Sequence, residues 1–208
     1  TFVPDDGRPL SVKVPCLEDM LGDKLTAFAP NTTGIPYFKK KDSQSMEIIK
    51  QLYDIGIIFD VVSKLEVVKS TFTNFALKVL AYREVEELSE KDVLEDIYQT
   101  SLCIVTRGAD GIGDFEQLQS GIRRIRNFIF SENFHLDKAI VVASKAAYIS
   151  SLIKHESNKI ERFEKPIDLK GYQIGKPLNI KLNKLKKSNP EAFFYWHKIY
   201  ELKKSEYF

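Results

Sequence analysis

From Leu17 onward the apolar residues of this chain recur at three- and four-residue spacing, the period of a helix with one buried face rather than that of a strand. Such segments bury their stripes against one another, so the spacing predicts a mainly α fold, a multi-helix bundle. The first block, "LEDMLGDKLTAFAP", puts Leu17, Met20, Leu21, Leu25 and Phe28 on one face and is closed by Pro30. After a loop, "NTTGIPYFKKKDSQ", a helix starting near Ser43–Ser45 runs to about Phe59, with Ile49, Leu52, Tyr53 and Ile57 as its stripe. "DVVSKLEVV" (Asp60–Val68) reads as a short helix of its own, and Phe72, Phe75, Ala76, Val79 and Leu80 as a longer one reaching about Leu88. "SEKD" at Ser89–Asp92 resembles a capping box and opens a helix carrying Leu94, Ile97, Tyr98, Leu102 and Val105. Beyond the glycine-broken "RGADGIGD", a stripe runs through Leu118, Ile122, Ile125 and Ile129, and an Ala-rich helix follows in "FHLDKAIVVASKAAYISSLI". "SNPEAFFYWHKIYEL" restarts a helix, with Asn189 as its cap and Pro190 in the first turn.

Two stretches depart from this pattern. Residues Phe2–Pro15 read as extended: Asp6-Gly7 is a turn signal and "LSVKVP" alternates, so a short N-terminal β-hairpin or strand pair is expected. Two strands need a larger body to pack on. From Asn158 to Ser188 Pro, Gly and alternating apolar residues predict either a loop wrapped over the helices or a short extended segment near Leu178–Leu182. The chain thus divides into residual strands (1–16), a helical domain (17–157) and a lysine-rich wrap with a C-terminal helix (158–208).

Charge and motifs exclude more than they select. The net charge of +2 demands no polyanionic partner, yet residues 170–208 hold nine Lys against three Glu, an asymmetry that permits phosphate contacts or simply solvates the tail. Arg123, Arg124 and Arg126 fall off the apolar stripe of their helix and face solvent or a partner, while "AFFYWHKIY" is either core or a base-stacking surface. Cys16 and Cys103 have no disulfide or metal spacing, read as small core fillers, and suit a reducing cytoplasm. No stretch approaches the roughly 18 apolar residues of a membrane span. The three His have no zinc spacing, and "GADGIGD" lacks the Lys-Ser/Thr of a phosphate loop, which leaves a turn with Asp114 capping the next helix.

Lys24 and Asp54 each interrupt an apolar helical stretch. Either they edge the core or they line a site. The stretches that hold them, "VKVPCLEDMLGDKLTAF" and "IIKQLYDIGIIFD", resemble the nucleotidyltransferases of the abortive-infection toxin family (AbiEii/AbiGii-like) over roughly Ser11–Asp60. In that family a sheet strand leads into a Leu-Glu-rich helix with a Lys, and a second helix carries an Arg-Asp-Leu-Tyr-Asp-Leu-like signature. Lys24 matches the first Lys and Asp54 the last Asp, while Lys50 or Gln51 stands where the family often has Arg.

The resemblance implies a magnesium-dependent transfer of a nucleotide from a nucleoside triphosphate to an RNA or protein acceptor. Lys24 would contact phosphate, and Asp54 would orient Lys24 or complete the catalytic site. The N-terminal strands would belong to the nucleotidyltransferase sheet, and the partner would be a cognate antitoxin. The family's Gly-Ser-x-Asp/Glu motif is missing, and "GRPLS" does not replace it. Since the chain starts at Thr1 rather than Met, it reads as the C-terminal portion of such an enzyme, holding neither Mg2+ nor NTP alone. The alternative is a non-catalytic helical interaction module. Arg123, Arg124 and the lysine-rich tail would guide an RNA acceptor.

Overall fold

The computed structural model describes residues 12–85, 87–165 and 167–204. The chain is mainly α, as the spacing predicts. Its longer helices are α1 (Leu17–Ala27), α2 (Ser45–Phe59), α3 (Leu65–Tyr82), α4 (Glu90–Val105), α5 (Phe115–Ile125), α6 (Leu136–Lys154) and α9 (Pro190–Lys204); α7 (Asn179–Leu182) and α8 (Leu185–Ser188) are single turns. Helix α6 lies at the centre, packed on α2, α4, α5 and α9, while α1 lies against α2 and α3. Gly22 permits the α1–α3 contact, because a Cβ there would sit 2.8 Å from the Phe72 backbone nitrogen. The Ala and Ser residues of α6 likewise let its neighbours approach closely.

Several local expectations change. A two-stranded antiparallel sheet is present, but it is formed by β1 (Phe38–Lys39) and β2 (Asp42–Ser43), inside the stretch expected to be loop. Its turn carries Lys40 in the left-handed region at φ 58, a conformation that no Gly or Asn announces. The strand pair expected over Phe2–Pro15 lies largely outside the described residues. Asp60–Val68 is no separate helix: 60–64 is a turn, and Leu65 already belongs to α3. That start is fixed from another helix, since the Glu18 carboxylate accepts the N–H groups of Ser63 (3.3 Å) and Lys64 (3.4 Å). Helix α3 stops at Tyr82, short of Leu88, where Arg83 turns to donate to the carbonyls of Thr32 and Gly34 and Glu84 takes φ 57. Leu178–Leu182 is the α7 turn and not a strand.

Cys103 is buried as expected, whereas Cys16 is exposed at the α1 N-terminus with its thiol on Asp19. Leu17, Met20 and Ile57 also fall outside the core. Residues of the 158–188 wrap (Leu169, Ile174, Leu182, Leu185) and of α9 (Phe193, Tyr195, Trp196) join the same core cluster as the helices before them, so "AFFYWHKIY" is core. Among the described residues, no helix is long and apolar enough to cross a membrane.

Candidate functional site

Helices α1 and α2 run side by side and bring Lys24 and Asp54 together. The Lys24 ammonium is 2.9 Å from Asp54 Oδ2, and it donates to Gln51 Oε1 at 3.0 Å. Gln51 precedes Asp54 by three residues, one helical turn, so both reach the same ammonium from one face of α2. The side chains are 23% and 41% exposed for Lys24 and Asp54, at the rim of the layer formed by Leu21, Leu25, Leu52 and Ile55. An ammonium has three hydrogens. Gln51 takes one and Asp54 lies within reach of a second, so a third remains for an incoming acceptor.

Neighbouring segments of the same chain hold the ends of α1 in place. Asp19 accepts from Thr71 Oγ1 at 2.6 Å, which ties α1 to α3 and, with the Cys16 thiol, keeps the Asp19 carboxyl below its usual range. Beyond the C-terminal end of α1, the Asp96 carboxylate on α4 accepts from Asn31 N (2.8 Å), Asn31 Nδ2 (2.7 Å), Thr32 Oγ1 (2.9 Å) and Thr100 Oγ1 (3.1 Å). Burial still pushes the Asp96 carboxyl above its ordinary value, outweighing those four hydrogen bonds.

Among the described residues, no group of three or more His, Cys, Asp or Glu side chains is placed to hold a metal ion. Asp54 is already engaged by Lys24. The donor set here therefore does not fit the Mg2+ that the resemblance implies, whose carboxylates would have to come from elsewhere. Gln51, weighed in the sequence only against the family's Arg, proves to be the second ligand of the Lys24 ammonium.

A second charged cluster escapes a reading of the sequence. Lys145, in the middle of α6, is almost wholly buried and lies 2.8 Å from Asp60 Oδ1 and 3.2 Å from Glu191 Oε1. It joins the end of α2, the middle of α6 and the start of α9, beside a cavity of about 520 Å3 that Tyr53, Phe134 and Val142 also line. Its one trace in the sequence is a Lys inside the apolar run "VVASKAAYI". Both carboxylates answer its charge, so it acts as an interhelical tie.

Arg123, Arg124 and Arg126 are exposed, and none has a carboxylate partner among the described residues. Just beyond them Phe128 and Phe130 are 64% and 95% exposed. Of the tail lysines, Lys181 pairs with Asp110 at 2.6 Å, Lys198 with Glu161 and Glu201, and Lys186 donates to the carbonyls of Lys170 and Tyr172. Part of the lysine excess is therefore consumed in holding the wrap down. No family model, no curated protein and no solved structure matches this chain.

Proposed function

We propose that this chain is the helical portion of a toxin-type nucleotidyltransferase, in which Lys24 contacts a phosphate of the nucleoside triphosphate and Asp54 with Gln51 positions the ammonium. One observation carries the reading. The two residues matched by the resemblance, thirty positions apart, meet at 2.9 Å with Lys24 still partly open to solvent. A cation oriented by neighbours before substrate arrives stabilises polyphosphate charge without reorganising in the reaction. Asp54 is thus a positioning residue, and Mg2+ with its carboxylates would come from outside this chain. Arg123, Arg124 and Arg126, exposed and without a carboxylate partner among the described residues, lie beside exposed Phe128 and Phe130 and suit an RNA acceptor, since guanidinium groups grip phosphates and aromatic faces stack bases. A cognate antitoxin and a cytoplasmic setting belong to the same reading.

The test is calorimetric titration of a non-hydrolysable nucleoside triphosphate with magnesium into the protein of the full reading frame. Lys24→Ala should weaken binding by about ten- to a hundredfold, the worth of one charge-assisted contact. Lys24→Arg should restore part of it, and Asp54→Asn should fall between. Unfolding should shift by no more than about 1 kcal/mol in each variant, because a partly exposed ion pair contributes little to stability. Unchanged nucleotide affinity in Lys24→Ala would leave the pair as a core-edge bridge and turn attention to the non-catalytic alternative, for which the exposed Phe128 and Phe130 are the specific support.

A further inference from the structure

Between the end of α5 and the start of α6 the chain sets apolar rings and guanidinium groups side by side. Phe128 and Phe130 are exposed, whereas Ile129 between them is half-buried and packs on the core. One side chain turned inward between two turned outward leaves both rings on the solvent side. Beside them Arg123, Arg126, Asn127 and Asn133 line an open hollow of about 520 Å3. Glu132, the acid of that hollow, is held by Lys138 at 3.2 Å. Arg123 donates to the neutral Gln119 Oε1 at 3.3 Å.

The segment is mounted on α2. Phe134, 1% exposed, anchors its end and meets Tyr53 of α2 edge to face at 5.2 Å. The Tyr53 and Ser131 hydroxyls lie 3.1 Å apart. At its start Gly121 lets α5 lie directly on α2, where an added Cβ would come 2.3 Å from the Ser45 carbonyl oxygen. Tyr53 faces this segment, while Gln51 and Asp54 of the same helix face Lys24 of α1. One helix, roughly 10 Å across, therefore separates the platform from Lys24.

A solvent-facing phenylalanine has no polar atom to satisfy, and what it gains comes from contact with another apolar or π face. Guanidinium groups match phosphate oxygens. A duplex hides its base faces in the stack, whereas a single strand offers free bases and phosphates together.

We propose, resting on the acceptor reading above, that Arg123 and the segment 126–134 bind single-stranded nucleic acid in preference to duplex. Phe128 and Phe130 stack unpaired bases, and Arg123 and Arg126 hold the adjoining phosphates. The amides of Asn127 and Asn133 meet base edges at the hollow.

Fluorescence anisotropy of the full chain with labelled oligouridine, oligodeoxyuridine and a short mixed-sequence duplex tests this, with no nucleoside triphosphate or magnesium present. The single strand should bind saturably and about tenfold tighter than the duplex, the worth of one stacked base. A preference for oligouridine would assign the site to RNA, and equal affinity to single strands of either sugar; both uphold the proposal. The double variant Phe128→Ala, Phe130→Ala should weaken strand binding about tenfold and leave the duplex unchanged. The double variant Arg123→Ala, Arg126→Ala should weaken both and lower the salt slope of strand binding by about 1.4, two phosphate contacts at roughly 0.7 each. All four residues are exposed, so both variants should unfold at nearly the wild-type temperature. No saturable binding, equal affinity for strand and duplex, or a strand preference that survives loss of both rings would overturn the proposal. Self-association that vanishes with the rings, in a protein that binds no oligonucleotide, would overturn it too and make the patch a protein contact. Failure here leaves the Lys24 reading standing, and unchanged nucleotide affinity in Lys24→Ala leaves this one standing.

Discussion

The imidazole of His197 is buried among rings. It stacks on Tyr172 with centroids 4.4 Å apart, its Nδ1 has no hydrogen-bond partner, and Glu201 lies 3.7 Å away, beyond hydrogen-bond reach. Burial lowers its pKa from the ordinary 6.5, outweighing the pull of Glu201, and Lys198 and Lys186 push in the same direction as burial. A histidine lowered in the fold binds fewer protons there than in the unfolded chain. Its contribution is thus a penalty absent above about pH 6.5, growing as pH falls from that value toward the lower folded pKa and constant below it. The wild type should therefore lose denaturant stability between pH 7 and 5, and His197→Phe, which keeps a ring against Tyr172, should flatten that slope. Equal slopes in the two proteins would mean that other groups set the acid response. Lys24 is treated differently at the same scale: two partners are supplied on one helix face, and the ammonium stays partly wet.

At the level of elements, the start of α4 shows what a short motif is worth. The Asp92 carboxylate accepts both the Ser89 N–H (2.8 Å) and the Ser89 hydroxyl (2.6 Å), and these bonds hold its pKa below the ordinary 3.8. Asp92→Ala should cost about 0.5–1 kcal/mol at neutral pH. An acid lowered in the fold contributes stability above its unfolded pKa and loses it as pH falls through the folded one, so the difference between Asp92→Ala and wild type should shrink below pH 3.8. A difference that persists at pH 2 would assign the cost to packing instead. This cap was legible because both of its residues lie within four positions. So were the Asp114 cap, which accepts from Gln117 N at 3.0 Å, and Asn189, which accepts from Ala192 N at 3.3 Å. The start of α3 was not legible: its cap comes from Glu18, forty-five residues earlier. Periodicity cannot see such a partner, and it placed a helix start at Asp60, inside the turn that precedes α3. The Lys24–Asp54 meeting was open to the sequence only as a pair of charges interrupting two stripes, whereas Lys145 needed three elements to explain it and showed in one residue type alone.

Across the molecule, stability should be graded from the centre outward. Helix α6 buries thirteen of its nineteen residues and touches four other long helices. Its polar groups are satisfied inside: Ser144 donates to the Ile140 carbonyl and accepts from Trp196, Ser150 and Ser151 donate to the Ala147 carbonyl, and Lys145 is matched by Asp60 and Glu191. No partial opening frees α6 without uncovering those groups, so its amides should exchange only through global unfolding. Helix α3 has a different position. It packs chiefly on α1 and more lightly on α4, and Phe75, Leu77 and Tyr82 stay exposed. It can open together with α1 at the expense of the α1–α2 packing, the Lys24–Asp54 contact and the bonds from Asn31 and Thr32 to Asp96, leaving the α4–α6–α9 body closed. Native-state hydrogen exchange in low denaturant should place mid-α6 amides at the global free energy, those of α3 below it, and those of the β1–β2 hairpin lowest. If α3 amides exchanged as slowly as those of α6, the two helices would open as one unit, and the Lys24–Asp54 contact would share the stability of the central body.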